Sequence, residues 1–327
     1  MVLYKIGFAG FRHGHIFGLY QIAKDNENVE IIAAWEENED AKAAAEEKGV
    51  IFNCDTYDEM LNNADIDIIA IGDYYGRRGE LAIKALKAGK HIIADKPLCI
   101  SLEELYEIKH LVKANNLKVG MMFDLRYNKN ILTAKKLIEA GEIGEINNIS
   151  FGGQHPLLYG ERPGWYFEEG KHGGTINDIA IHAIDIIKNY LHLDVKNICA
   201  ARTWNKLADK EPNFNESAQL MLELSNKVGL IADVSYTVPD KIGFDLPYYW
   251  EFKIWGTKGM ITFTFSSENV ELYKKTEDKV ILCAGTEFGK NYLTDFVDDI
   301  EGKCDFTEGI LASAEETLKI QAFADKG

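Results

Sequence analysis

The stretch that decides the fold is KIGFAGFRHGHIFGL, Lys5–Leu19. An apolar run reaches Gly10, and helix-like spacing follows it. A glycine where a strand turns sharply into a helix lets the backbone turn and lets a phosphate group approach. The phosphate-loop fingerprint asks for glycine at its first, third and sixth positions. Here Gly10 is followed by Arg12 and His15 in those places, and Gly14 lies one residue short. The Arg12 side chain must therefore point away or meet a phosphate itself. A one-residue slip would let Gly14 serve helix–strand packing. The loop candidates are Gly10, Phe11, Arg12 and His13. Read alone, the stretch fits a tight turn in an α/β domain equally well.

Outward from it, strand-like and helix-like segments alternate. Strands are expected at 4–10, 29–35, 65–73, 91–95 and 118–124, with helices at 15–25, 38–49, 56–63, 79–90 and 101–116. Continuous apolar strands joined by short connections imply a parallel, doubly wound sheet covered on both faces. After about residue 125 the pattern changes. Helices are expected at 128–141, 175–191 and 309–325, and the segments between read mainly as longer, alternating strands. That implies a second α/β domain with a large, mostly antiparallel open sheet. The expected division is 1–123 for the first domain and 124–327 for the second, with the last helix packing back on the first.

Composition narrows the function classes. The chain has 327 residues, 46% hydrophobic and 27% charged, enough for a large core and two domains. Acidic residues outnumber basic ones 52 to 36, a formal charge of −16, and no basic run appears. That average field repels nucleic acid, and no apolar run is long enough to cross a bilayer. No signal-peptide pattern opens the sequence. The five cysteines are scattered without CxxC spacing, which fits reduced thiols in the cytoplasm.

Three further stretches carry chemistry. VEIIAAWEE, 29–37, ends a strand at Glu36, about where a carboxylate accepts hydrogen bonds from adenosine ribose hydroxyls. That favours NAD over NADP, although Arg12 is able to pair with a 2′-phosphate. ADKPL, 94–98, places Lys96 at the carboxyl end of a parallel strand, with Asp95 before it and Pro97 fixing the turn. A lysine there can transfer a proton or polarise an oxygen. GGTINDIAIHAIDI, 173–186, puts Asp178, His182 and Asp185 on one helix face. Three polar groups in an apolar helix mean a core network in which Asp185 accepts from His182, an acid/base histidine oriented by a carboxylate, or an ion site. No companion ligand cluster is evident, so no metal is assigned.

At this point the sequence resembles the Gfo/Idh/MocA family, the glucose–fructose oxidoreductase and inositol dehydrogenase relatives. The resemblance rests on the first strand and loop, on DKP for the family's EKP, and on DLRYNKN at 124–130, with Arg126 and Tyr127. It continues through AGEIGEI at 140–146, GGTINDIAIHAID at 173–185 and WEFKIWGTKGMI at 250–261. It implies a nicotinamide cofactor and hydride transfer at a hydroxyl- or keto-bearing carbon of a sugar, polyol or similar metabolite. It also implies a catalytic Lys96 and an Asp178/His182 acid/base pair, with His182 taking the hydroxyl proton. The family's Thr-Pro-Asn-x-x-His turn is replaced by GDYYGRR, 72–78. Gly72, Asp73 and Tyr74 are the cofactor candidates there, Tyr74 by packing on the nicotinamide or its ribose. In FGGQHPLLYGERPGWYF, 151–167, His155, Arg162 and Trp165 either line a substrate pocket or belong to a surface loop.

The expectation is an NAD(P)-dependent oxidoreductase of a small hydroxylated substrate, forming a homodimer or homotetramer because an uncovered sheet face needs a partner. Two rivals stand beside it. One is a nucleotide- or sugar-sensing regulator without turnover. The other is a redox-neutral lyase or hydrolase in which NAD oxidises the substrate and NADH returns the hydride.

Overall fold

The structure is a computed structural model that describes residues 3–286 and 289–326. Its contacts divide the chain into two compact units: Met1–Met122 with Gly170–Gly173 and Asn291–Ala314, and Phe123–Glu169 with Gly174–Lys290 and Glu315–Gly327.

The first unit is built on β1 (Tyr4–Ala9), α1 (Ile16–Lys24), β2 (Val29–Trp35), α2 (Glu39–Glu46), α3 (Tyr57–Asn62), β3 (Ile68–Ile71), α4 (Tyr75–Lys87), β4 (His91–Ala94), α5 (Leu102–Asn115) and β5 (Val119–Met121). The five strands are parallel in the order β2-β1-β3-β4-β5. Ile6, Phe8, Ile68–Ile71, Ile92–Ala94 and Val119 have no exposed surface, which is why these strands read as continuous apolar runs. Asn38, Thr56 and Ser101 cap α2, α3 and α5 through their side chains.

Two expectations are corrected here. The α4 helix starts at Tyr75 rather than Gly79, so Tyr75–Arg78 form its first turn directly after the strand end. Gly14 does not serve helix–strand packing: a Cβ there would meet open space. Gly72 does so instead, since a Cβ on it would lie 2.5 Å from the Ile16 side chain.

The second unit contains α6 (Lys129–Glu139), β6 (Ile146–Pro156), α7 (Ile181–Asn189), β7 (Val195–Trp204), β8 (Ser217–Leu224), β9 (Gly229–Val238), β10 (Glu251–Gly256), β11 (Gly259–Phe263), β12 (Asn269–Lys274) and β13 (Ile281–Ala284). Its eight strands run β13-β12-β11-β10-β6-β9-β8-β7, antiparallel except for the β6–β9 pair. β8 alternates buried Leu220, Leu222 and Leu224 with outward Gln219, Met221 and Glu223. On the outward face Met221 is 55% and Ile231 60% exposed.

The sequence pattern assigns no helix to α8 (Tyr292–Ile300), yet Asn291 caps it and Tyr292, Leu293, Phe296 and Val297 bury one stripe. The last helix is α9 (Phe306–Ala324). No helix among the described residues is long and apolar enough to cross a membrane. No two cysteines form a disulfide.

Candidate active site

In the first unit the functional candidates gather where β1, β3 and β4 end. Gly10 adopts φ +83°, and a Cβ on it would stand 2.8 Å from the Asp73 backbone nitrogen. Only glycine leaves that space open. Helix α1 begins with no side-chain cap, and its Ile16 and Phe17 N–H groups make long backbone bonds of 3.4 and 3.3 Å. A helix start of this kind, beside a glycine turn, fits a dinucleotide pyrophosphate.

Glu36 sits at the end of β2 with its side chain fully buried. Its carboxylate accepts from the Phe11 N–H at 2.6 Å, the Asn38 N–H at 2.8 Å and Arg12 Nε at 3.3 Å. It therefore ties the loop to β2. Arg12 also pairs with Glu37 at 2.9 Å and lies 5.2 Å above the Tyr74 ring. Lys171 Nζ lies 5.1 Å from the same ring.

Asp73 is buried beside Arg12 and accepts from the Tyr74 N–H at 2.7 Å, while its Oδ2 has no hydrogen-bond partner. Burial pushes its carboxyl up to about 6 against the pull of Arg12. Because the folded-state value lies above the unfolded one, the penalty is absent below pH 4, grows between about pH 4 and 6, and is constant above that. Asp73→Asn is therefore expected to raise Tm at pH 7.5, with the gain vanishing below pH 4. Thermal melts across that range check it, and an equal gain at both ends would contradict it.

Arg78, with no exposed surface, organises the DKP segment. It donates to the carbonyl oxygens of Asp73 at 2.7 Å, Lys96 at 2.5 Å and Pro97 at 3.2 Å, and to Asp95 Oδ2 at 3.0 Å. Lys96 is itself buried, and the Lys96–Pro97 peptide bond is cis. His13 Nδ1 bonds Asp95 Oδ2, and the Tyr75 hydroxyl meets His13 Nε2 at 3.1 Å. Burial pushes Asp95 up, but Arg78 beside it, with His13 and His15, holds it well below the usual carboxylate range. Burial pushes His13 down to about 4, so the imidazole is neutral at pH 7.

In the second unit, residues 175–191 do not form one regular α-helix. Ile176–Ala180 make a π turn that leads into α7. The buried Gln321 Oε1 accepts the N–H groups of Ile176 and Asn177 at 3.0 and 3.2 Å, capping this wide turn. Turns of this kind concentrate at functional sites. Asp178 lies in it and His182 in the first turn of α7, both buried. The Tyr236 hydroxyl donates to Asp178 Oδ2. The His182 ring packs 5.2 Å from Trp250 and 5.8 Å from Phe123.

Asp185 has a partner that the sequence reading did not offer. Its two oxygens receive Nε and Nη2 of Arg126 at 2.5 Å each, a buried bidentate pair, where the sequence reading offered His182 as donor. Arg126 belongs to a short helical turn, Asp124–Tyr127, and Tyr127 at its end is half-buried. His155 sits among Tyr236, Phe244, Tyr249 and Trp250 with ring centroids 5.5–6.0 Å away. Trp165 stacks on Tyr166 at 4.1 Å. Arg162 lies 4.7 Å over Tyr166 and 5.0 Å over Tyr236. Within this aromatic cluster Trp165 is buried, and His155 and Arg162 are partly buried.

Sequence reasoning missed Tyr236 and Gln321, which lie far along the chain from the helix they support and match no motif. It also missed the part played by Arg78, for which the signal in the sequence was its place in GDYYGRR, where the family's usual turn is replaced.

Residues 4–123 match a family described as "Oxidoreductase family, NAD-binding Rossmann fold", and residues 131–262 match the GFO/IDH/MocA C-terminal domain. Among relatives, levoglucosan dehydrogenase of Pseudarthrobacter phenanthrenivorans is 33% identical over 153 residues, 45% of this chain and 39% of that protein. Glucose-6-phosphate 3-dehydrogenase of Bacillus subtilis is 25% identical over 249 residues, 74% and 69% of the two chains. The first two curated relatives are matched over only 35% and 39% of their own lengths. The solved structure of a putative oxidoreductase from Thermotoga maritima superimposes with a TM-score of 0.84 at 25% identity, covering 99% and 98% of the chains. With both domains of one family matched in order across more than half its length, the chain belongs to the Gfo/Idh/MocA family.

Proposed function

We propose that this protein is a nicotinamide-dinucleotide-dependent oxidoreductase that interconverts a hydroxyl and a keto group on a sugar, polyol or similar metabolite. The observation that carries the reading is the Asp178–His182 pair at the head of α7, buried and with its carboxylate fixed by Tyr236. The substrates named for relatives are sugars and cyclitols, which supports the substrate class. The Gly10 loop and Glu36 would hold the dinucleotide, which would supply hydride exchange with the substrate carbon. His182 takes the proton from the hydroxyl, or returns it to the keto oxygen. Asp178 orients substrate or histidine, and Lys96 holds the reacting oxygen. Arg126 and Tyr127, with His155 and Trp165, are proposed to shape substrate binding.

For the cofactor we propose NAD over NADP. Glu36, Glu37 and Asp73 put three carboxylates around Arg12, which disfavours an added 2′-phosphate. Calorimetric titration with NAD⁺, NADH, NADP⁺ and NADPH tests this, with tighter binding expected for the two forms lacking the phosphate. Preference for NADP(H) would mean that Arg12, with Arg77, which pairs with Glu37 and Asp73, outweighs the carboxylates. Binding without turnover on any sugar or polyol would turn the reading toward a sensor. We also propose a cytoplasmic homo-oligomer, supported by the scattered cysteines, which form no disulfide, and by the exposed Met221, Ile231 and Trp255 on the outward sheet face.

A further inference from the structure

Among the described residues, one trio of side chains able to hold a metal ion has its ligand atoms within 4.8 Å of one another: His13, His15 and Asp95. The two imidazoles come from the β1–α1 loop and the carboxylate from the end of β4. Nothing in the sequence pattern links them, since some 80 residues separate the pair from Asp95, and the sequence reading assigned no metal.

We propose that these three residues form a site for a zinc-class divalent ion, bound by His13 Nδ1, His15 Nδ1 and an Asp95 oxygen, with the fourth position open to water. Both histidines already turn Nδ1 toward the carboxylate. His15 Nδ1 lies 3.3 Å from Asp95 Oδ1. That is about the edge of a tetrahedron with metal–ligand bonds of about 2.0 Å. His13 Nδ1 now bonds Asp95 directly, so a small opening of that pair admits the ion.

The outer shell is built as well. Metal-bound histidines donate their other N–H to a fixed acceptor, and metal-bound carboxylates are themselves hydrogen-bonded. Here the Tyr75 oxygen lies 3.1 Å from His13 Nε2, and Arg78 donates to Asp95 at 3.0 Å. With the ion on Nδ1, the His13 ring carries its N–H on Nε2, which donates to the Tyr75 oxygen. Two imidazole nitrogens and one carboxylate oxygen suit zinc, cobalt or nickel and not calcium or magnesium, which take six or more oxygens. The buried guanidinium of Arg78 opposes the positive ion, so affinity is expected below that of an all-cysteine structural zinc site.

The test uses the full chain and the metal alone, with no dinucleotide, so it is independent of the proposed reaction. Titration with Co²⁺ is expected to give the visible absorption of four-coordinate cobalt, saturating at one equivalent and displaced by Zn²⁺. His15→Gln, at a half-exposed position, is expected to fold and to lose the band. His110→Gln, at an exposed histidine outside the trio, is expected to keep it. Zn²⁺ is expected to raise the Tm of the wild-type chain and not of His15→Gln. Absence of a saturable band, or a band unchanged in both His15→Gln and Asp95→Asn, would overturn the site.

Discussion

Replacing His182 with alanine is expected to lower kcat by a factor on the order of 10²–10⁴, the usual contribution of a positioned acid/base group. The dinucleotide Kd is expected to stay within about twofold, since the proposed role of His182 is toward the substrate hydroxyl and that of the Gly10 loop and Glu36 toward the dinucleotide. The residue is nearly buried against Trp250 and Phe123, so the variant also leaves a void and loses some stability. A thermal melt at the assay temperature separates that loss from the chemical one. His182→Gln keeps much of the volume without the titratable ring, and it is expected to be as inactive as the alanine variant. Turnover within a few fold of wild type in either folded variant would remove His182 from the proposed role. Steady-state kinetics with calorimetry on the same preparations decides it.

The largest effect on stability is expected from Arg78→Ala. The guanidinium is wholly buried, serves three carbonyl oxygens and the Asp95 carboxylate, and lies 4.5 Å from the Tyr75 ring. Its removal leaves three carbonyl acceptors unserved and a buried carboxylate with only the two histidines for partners. Losing one partner of a buried ion pair costs about 3–5 kcal/mol. Urea unfolding is expected to show a loss of that order. Arg78→Lys is expected to recover little of it, because one ammonium cannot reproduce the planar fork. A loss under about 1 kcal/mol would show that solvent replaces the guanidinium and that the DKP segment holds without it.

How far the sequence carries is seen by comparing such residues. The strands of the first unit were legible because burial on both faces leaves continuous apolar runs, as in Ile68–Ile71. The alternation in β8 was legible for the converse reason. Lys96 stood out by its place at the carboxyl end of a parallel strand, and Asp178 and His182 because polar groups in an apolar helix need a purpose. The partners of these groups were not legible. Tyr236 reaches Asp178 across 58 residues, and Arg126 reaches Asp185 across 59. Pairing at that distance is set by sheet register and helix placement, which local spacing does not encode. Gly14 misled for a related reason: a glycine announces freedom, but only its surroundings say whether the freedom is used. The π turn at Ile176–Ala180 lay hidden because its N–H groups are answered by Gln321 on another helix.

The β1–α1 loop departs from the usual glycine pattern, and its stiffness has a consequence for binding thermodynamics. The Phe11 N–H is fastened to Glu36, the His13 N–H to the Gly72 carbonyl oxygen, and the His13 ring to Asp95 and Tyr75. A loop held at so many points has little conformational freedom left to surrender when a ligand arrives. Glycine-rich loops order on binding, whereas this one stands ready. Association with a dinucleotide should therefore carry a small entropic penalty, and amide hydrogen exchange at Gly10, Phe11 and His13 should already be slow before any ligand is added.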